Sequence, residues 1–277
     1  MTEERQTEER QTEERQTEEQ RNGEQRSIEL EVEVAGTPEE VWEAIATGPG
    51  ISSWYVPHQV EEHEGGAAIA SFGPDMDAHG RVAAWDPPRR FAIDSGIPGE
   101  GLAFEWLIEA RDGGTCIVRL VNSGFGSGDE WDSQYDAMTD GWRIFLFHLQ
   151  LHLQHFAGRF ATAMLPMAMW PQNPVEAWAR LTSLLGVPES PQIGDRIVAS
   201  TDDATVAISG TVAGTGPTRI SLLLDGPAPG TAFIASEAAG DLSSVSVWAY
   251  LYGPDATEIA GRTGQAWHTW LSTNATS

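Results

Sequence analysis

The sequence contains no lysine: all 16 basic residues are arginine, set against 41 Asp and Glu, for a formal charge of -25 over 277 residues. A chain this acidic repels phosphate backbones and anionic head groups, so neither nucleic acid nor a membrane surface is expected as a partner. Cysteine is nearly absent as well. The single Cys116 excludes an intramolecular disulfide and a thiolate metal cluster, and within TCIVRLV it is expected as a small buried strand residue. Long apolar runs are missing: IFLF and ATAMLPMAMW are too short and too interrupted to span a bilayer, which takes about 20 residues of helix. The N-terminus lacks the apolar h-region of a secretory leader, so a cytoplasmic location is expected. No G-x-S-x-G, P-loop, H-E-x-x-H or dinucleotide fingerprint occurs, and no cofactor is expected. The glycine-rich GFGSG at 124–128 lacks phosphate-loop spacing and reads as a loop.

What is present is a large apolar complement, 40% hydrophobic residues with 11 Trp, enough for one large core or two smaller ones. Residues 1–26 repeat the pentamer TEERQ and hold no large apolar side chain after Met1. Such a segment cannot offset its ordering entropy by burial and is expected to be a disordered charged tail. The folded part opens at Ser27. In IELEVEVAG, Ile28, Leu30, Val32 and Val34 alternate with Glu29, Glu31 and Glu33, the period-two pattern of a half-buried strand. Thr37, Pro38 and Glu40 then form a capping box for a helix whose stripe is Val41, Trp42 and Ile45. GPGISSWYVP reads as a short second helix or turn ending at Trp54. Six strand-like runs follow, separated by GG, GPD, DPP, GIPGEG and RDGG, and then one long helical pattern up to about residue 160. Strand, helix pair, antiparallel meander and long helix describe an α+β domain over 27–160, a curved sheet wrapped around its closing helix.

Several stretches carry a family resemblance: TPEEVWEAIATGPGISSWY, the GG at 65–66, GRVAAWDPPRRFAI and EW…GWRIFLFHLQLHL. Together and in this order they resemble the SRPBCC/START-like (Bet v-like) helix-grip superfamily. Within it, the chain is most similar to the branch of activator of heat-shock protein 90 ATPase homologues. The resemblance covers about half of the chain. It implies an internal apolar cavity between sheet and closing helix, and family members include passive binders, co-chaperone domains and some polyketide cyclases and aromatases.

Beyond Phe160, the Pro-broken segment 161–173 is expected to be a linker. In 174–277 a helix around Trp178, Leu181, Leu184 and Leu185 precedes five strand-like runs and a closing helix, ATEIAGRTGQAWHTWLS. This half is expected to be either a degenerate copy of the first fold lacking its opening strand, or an unrelated α+β cap.

Chemistry-bearing clusters are few. Asp75, Asp77 and His79 lie in a Gly-Pro turn, where alternating acids are usually solvated, and no metal is expected there. HLQLHLQH places His148, His152 and His155 at helical spacing. At about 100° per residue, Trp142, Phe145, Leu146, Leu149, Leu153 and Phe156 make one apolar face, and Ile144, Phe147 and Leu151 make a second nearly opposite it. A helix apolar on two faces is covered on two sides, so the second half of the chain is expected to pack on the second face. The histidines then form a strip at the seam, open to metal binding, ligand polarisation or plain boundary packing, of which packing is the expectation. The expected cavity lining is Trp54, His58, Phe72, Trp85, Trp106, Trp142 and Phe145. The leading functional expectation is a receptor for a small apolar molecule. The alternatives are a co-chaperone-like module that binds a chaperone or other protein, and a cyclase-like enzyme drawing acid–base groups from His58, His79, Glu105 or the helix histidines.

Overall fold

A computed structural model describes residues 26–73, 75–97, 101–125, 129–188, 190–201 and 205–275. The tail expected for 1–26 lies, apart from Arg26, outside the described residues, as does the GFGSG loop beyond Phe125.

The first domain is built on β1 (Arg26–Ala35), α1 (Pro38–Ala46), α2 (Gly48–Ile51), β2 (His58–Val60), β3 (Ala67–Ser71), β4 (Asp77–Asp86), β5 (Arg90–Asp94), β6 (Ala103–Arg111), β7 (Thr115–Phe125) and α3 (Asp129–Phe156). The strands form one antiparallel sheet in the order β1-β7-β6-β5-β4-β3-β2. Alternation along β1 turns Ile28 and Val34 into the core, while its glutamates stay on the wet face, where Arg119 Nε donates to Glu31 Oε1 at 2.7 Å. At the start of α1, Glu40 N donates to Thr37 Oγ1 at 3.3 Å and Thr37 N to Glu40 Oε2 at 2.8 Å, so two otherwise orphaned amides are satisfied. The chain then folds back tightly. Gly50 N donates to Thr47 Oγ1 at 3.1 Å, and a Cβ on Gly50 would overlap the Glu43 carbonyl, so only glycine lets α2 lie this close on α1. Trp54 Nε1 closes the elbow by donating to Ala44 O at 2.9 Å.

The second domain comprises β8 (Thr162–Met164), β9 (Met167–Trp170), α4 (Pro174–Leu184), β10 (Arg196–Ser200), β11 (Ala207–Gly216), β12 (Arg219–Gly226), β13 (Gly230–Ala239), β14 (Leu242–Leu251) and α5 (Ala256–Asn274). Its sheet runs β10-β11-β12-β13-β14-β8, with β9 also on β14. This corrects the expectation of a linker over 161–173. Met164 pairs with Ala249 and Trp170 with Ser243, while the Pro166 carbonyl between them accepts from Val247 N at 3.1 Å. One opening strand therefore runs along β14, split where a proline breaks the ladder. The second domain thus has the opening strand that its sequence did not reveal. Strand, helix, meander and closing helix repeat the plan of the first domain, and in both the opening strand pairs with the last strand.

The helix α3 lies between the two sheets. Trp142, Leu146, Leu149 and Leu153 belong to the first domain's core, whereas Ile144 packs on Phe233 and Ala235 of β13. Phe147 lies over β11, where a Cβ on Gly214 would come within 2.9 Å of its ring. Two residues depart from the helical-wheel expectation. Phe156 joins Tyr250 and Tyr252 of the second domain rather than the first sheet, and Phe145 sits on the border, touching both sides. The second sheet is therefore apolar on both faces: Ala232, Ile234, Val247 and Ala249 turn toward α4 and α5, Phe233 and Tyr250 toward α3.

The tight elbow at Gly50 yields a test. Gly50→Ala forces α2 off α1 and should cost about 2 kcal/mol, the usual penalty of overpacking, read as a lower urea midpoint at unchanged m-value. An unchanged midpoint would show that the elbow has slack.

Candidate functional site

A cavity of about 380 Å³ opens between the α2–β2 elbow, β3 to β6 and α3. Its floor follows from strand register. Ala70 lies opposite Ala78 and Ala68 opposite Gly80 across β3 and β4, so four small residues share one inward patch and leave the space that larger side chains would fill. The facing wall is aromatic: Phe104 and Trp106 from β6, Trp142 from α3 and Tyr55 from the elbow. These rings meet edge to face, with centroids 5.7 Å apart for Phe104–Trp142 and 5.5 Å for Trp106–Trp142. Ile51, Ile93, Leu102 and Met138 complete the apolar lining, and His79, Asp94 and Ser95 bring polar groups to it.

Of the residues expected at this site, His58, Phe72, Trp106 and Trp142 border the cavity. Three do not. Trp54 is wholly buried behind the wall, its indole spent on the Ala44 carbonyl and its ring against Trp106 at 5.6 Å. Trp85 packs under α1, edge-on to Trp42 at 4.9 Å, because β4 lines the cavity at Ala78 and Gly80 and only then passes beneath that helix. Phe145 stands one layer back, at 4.5 Å from Tyr55 and 5.8 Å from Trp248 of the second domain. Tyr55 was not expected; it sits in an aperiodic turn, and no periodicity marks it. The alternating small residues of AAIAS and DAHG were the legible signal for the floor, since period two puts them on one face.

His58 is the best-defined polar group. Its backbone N donates to Ser52 Oγ at 2.9 Å, and its Nδ1 lies 2.7 Å from the Val56 carbonyl. A carbonyl only accepts, so Nδ1 carries the proton and Nε2 is a bare acceptor. Burial pushes the ring's pKa down to about 4, against a weaker upward pull from the Val56 hydrogen bond, so it is neutral at pH 7. At the edge of the cavity Asp94 is already engaged, by Arg81 Nη2 at 3.3 Å and by the Gly96 amide at 2.8 Å. Glu105 points away from the cavity and pairs with Arg90 on the outer face. Among the described residues, no group of three His, Cys, Asp or Glu is placed to hold a metal ion.

This arrangement of elbow, small-residue floor and closing helix coincides with a family match. Residues 35–154 fit the model of the family described as Activator of Hsp90 ATPase homolog 1-like protein. That segment is similar to this family, and the match spans less than half of the chain. No curated protein matches the sequence. Among solved structures, the chain is similar to CalU16 from Micromonospora echinospora, at 21% identity over 47% of this chain and 75% of that one, with a TM-score of 0.38. It is also similar to BexL, a di-domain ARO/CYC from the BE-7585A biosynthetic pathway, at 15% identity over 90% and 94% with a TM-score of 0.42. DynU16, from the dynemicin biosynthetic locus, shows 15% identity over 89% and 95% with a TM-score of 0.41.

On its other side, the Activator-like domain meets the second domain through the α3 histidines. His148 is fully buried, with Nδ1 3.3 Å from Thr231 Oγ1 and Nε2 3.3 Å from Ser221 Oγ. His152 Nδ1 lies 2.6 Å from the Tyr252 hydroxyl, which in turn lies 3.3 Å from Ser53 O of the elbow. Tyr252 stacks on Phe156 at 4.0 Å. His155 is exposed, so two of the three histidines are interface residues and the third borders solvent. Burial pushes His148 down to about 3 and His152 down to about 4.

These values set a pH dependence. The unfolded chain takes up protons on these histidines below about pH 6.5 while the folded chain holds them neutral, so stability falls as pH drops from 6.5 toward 4. Each of His58, His148 and His152 should contribute a slope of about 1.4 kcal/mol per pH unit in that window. Urea titrations from pH 7 to 5 check this: His148→Gln should flatten the slope relative to the parent, and an unaltered slope would refute it.

Proposed function

We propose that the first domain is a receptor for a small, largely apolar molecule held in the cavity between its sheet and α3. The observation that supports this reading is the small-residue floor of Ala68, Ala70, Ala78 and Gly80, which leaves about 380 Å³ open in a domain whose other interior residues are close-packed. That volume lies within the range of about 300–1,000 Å³ usual for ligand sites. The second domain offers the contrast. There the space between sheet and helices is filled by Trp170, Trp178 and Trp267. The two domains share one plan, but the hollow over a small-residue sheet floor belongs to the first; the second carries instead a shallower, more open depression of about 790 Å³ between the ends of α4 and β10 and the face of α5. Keeping such a space open forgoes about 24 cal/mol per Å³ of packing, a cost that an occupant recovers.

Native mass spectrometry of the purified full chain should show a retained small molecule that organic extraction removes. Ala70→Trp, which plants an indole on the floor, should abolish retention and weaken binding of the uncharged fluorescent probe N-phenyl-1-naphthylamine at least tenfold, with the thermal midpoint kept or raised. Unchanged probe affinity in Ala70→Trp would place binding elsewhere. In that case a pull-down with a heat-shock protein 90-class chaperone tests the outer surface.

A further inference from the structure

The cavity's polar groups also select what the occupant can be. Resting on the reading that the cavity binds a ligand, we infer that this ligand is an uncharged molecule with a flat apolar body and a hydroxyl group, which donates its proton to His58 Nε2.

Three observations carry this. His58 has one nitrogen committed, since Nδ1 donates to Val56 O at 2.7 Å, and among the described residues its other nitrogen has no hydrogen-bond partner while the residue borders the cavity. An acceptor in an apolar surround that loses water without gaining a donor is costly, so the occupant that fits must bring a donor. Second, the cavity holds no counter-charge for an anion. Among the described residues no arginine lines it; Arg81 is engaged by the lining residue Asp94 at the edge, and that carboxylate adds negative charge. A carboxylate would bring an acceptor to an acceptor. Third, the wall opposite the floor is aromatic. Tyr55, Phe104, Trp106 and Trp142 present ring faces and edges across a space floored by methyl groups, which favours a flat body over a branched one. An ammonium group also donates, but the one carboxylate at the cavity is already held by Arg81 and by the Gly96 amide, so it would lose its hydration without a partner. Burial keeps the His58 ring neutral at pH 7, so it accepts rather than donates.

The test uses four probes of one shape on the full chain at pH 7.5: 2-naphthol, 2-methoxynaphthalene, 2-naphthoate and 2-naphthylmethylammonium, followed by quenching of tryptophan fluorescence. The expected order places 2-naphthol about tenfold tighter than its methyl ether, because the ether leaves His58 Nε2 buried and unpaired, with both ions weaker still. In His58→Phe the advantage of naphthol over its ether should vanish while the ether binds as before. Since that variant can fail to fold, the comparison within the parent protein stands alone. Equal affinity for naphthol and ether in the parent, or tighter binding of either ion, overturns the inference and leaves the ligand-binding reading intact. Failure of all four probes to bind overturns that reading itself.

Discussion

A helix that is apolar on two opposite sides has to be covered twice, and most of the architecture follows from how α3 meets that requirement. Its first face, through Trp142, Leu146, Leu149 and Leu153, completes the core of the first sheet. Its second face, through Ile144, Phe147 and Phe156, is covered by the outer side of the second sheet. The two sheets are consequently unequal. The outer face of the first stays charged, with Glu31 on Arg119 and Arg90 on Glu105, while that of the second carries Phe233, Trp248 and Tyr250 and would be insoluble if uncovered. The buried histidines fit the same scheme, with His148 and His152 meeting hydroxyls that the second domain supplies.

The same plan, used twice, gives two interiors of different character. Small residues at facing positions on β3 and β4 hollow the first, and three tryptophans fill the second. The cavity wall is also not the first domain's alone. Tyr55 rests on Phe145, which in turn rests on Phe233 and Trp248, so a continuous run of rings leads from the second sheet to the lining. The cavity wall is thus held from behind by a domain that contributes none of the described lining residues.

Much of this was legible because it is local. The capping box at Thr37, the alternation in β1, the order of the meander and the two faces of α3 each follow from residues a few positions apart. What stayed hidden depends on distant partners. The segment 161–173 gives no strand signal because Pro166 and Pro171 interrupt it, and only pairing with β14, some 80 residues on, makes it a strand. Strand period places Trp85 on a face but cannot say whether α1 or the cavity lies above it. Trp54 and Tyr55 are neighbours in an aperiodic turn, and the tether of the Trp54 indole to Ala44 O decides which of the two faces the cavity. Phe145 falls at the edge of the apolar stripe, where a turn of a few degrees separates lining from seam.

Clamping α3 has a last consequence, for traffic. A helix free on its outer side can swing away and uncover what lies beneath, but α3 cannot do so without parting Ile144 from Phe233 and Phe156 from Tyr252. At the far end of the cavity the lining residues Phe72, Asp94 and Ser95 stand where β3 and β5 finish. There Phe72 stands exposed on the cavity rim, and Met76, whose carbonyl accepts from Phe72 N at 3.1 Å, is exposed next to it, an oily threshold rather than a door. For an occupant of the proposed kind, entry and exit would run over these strand ends, because the second domain holds the helix still.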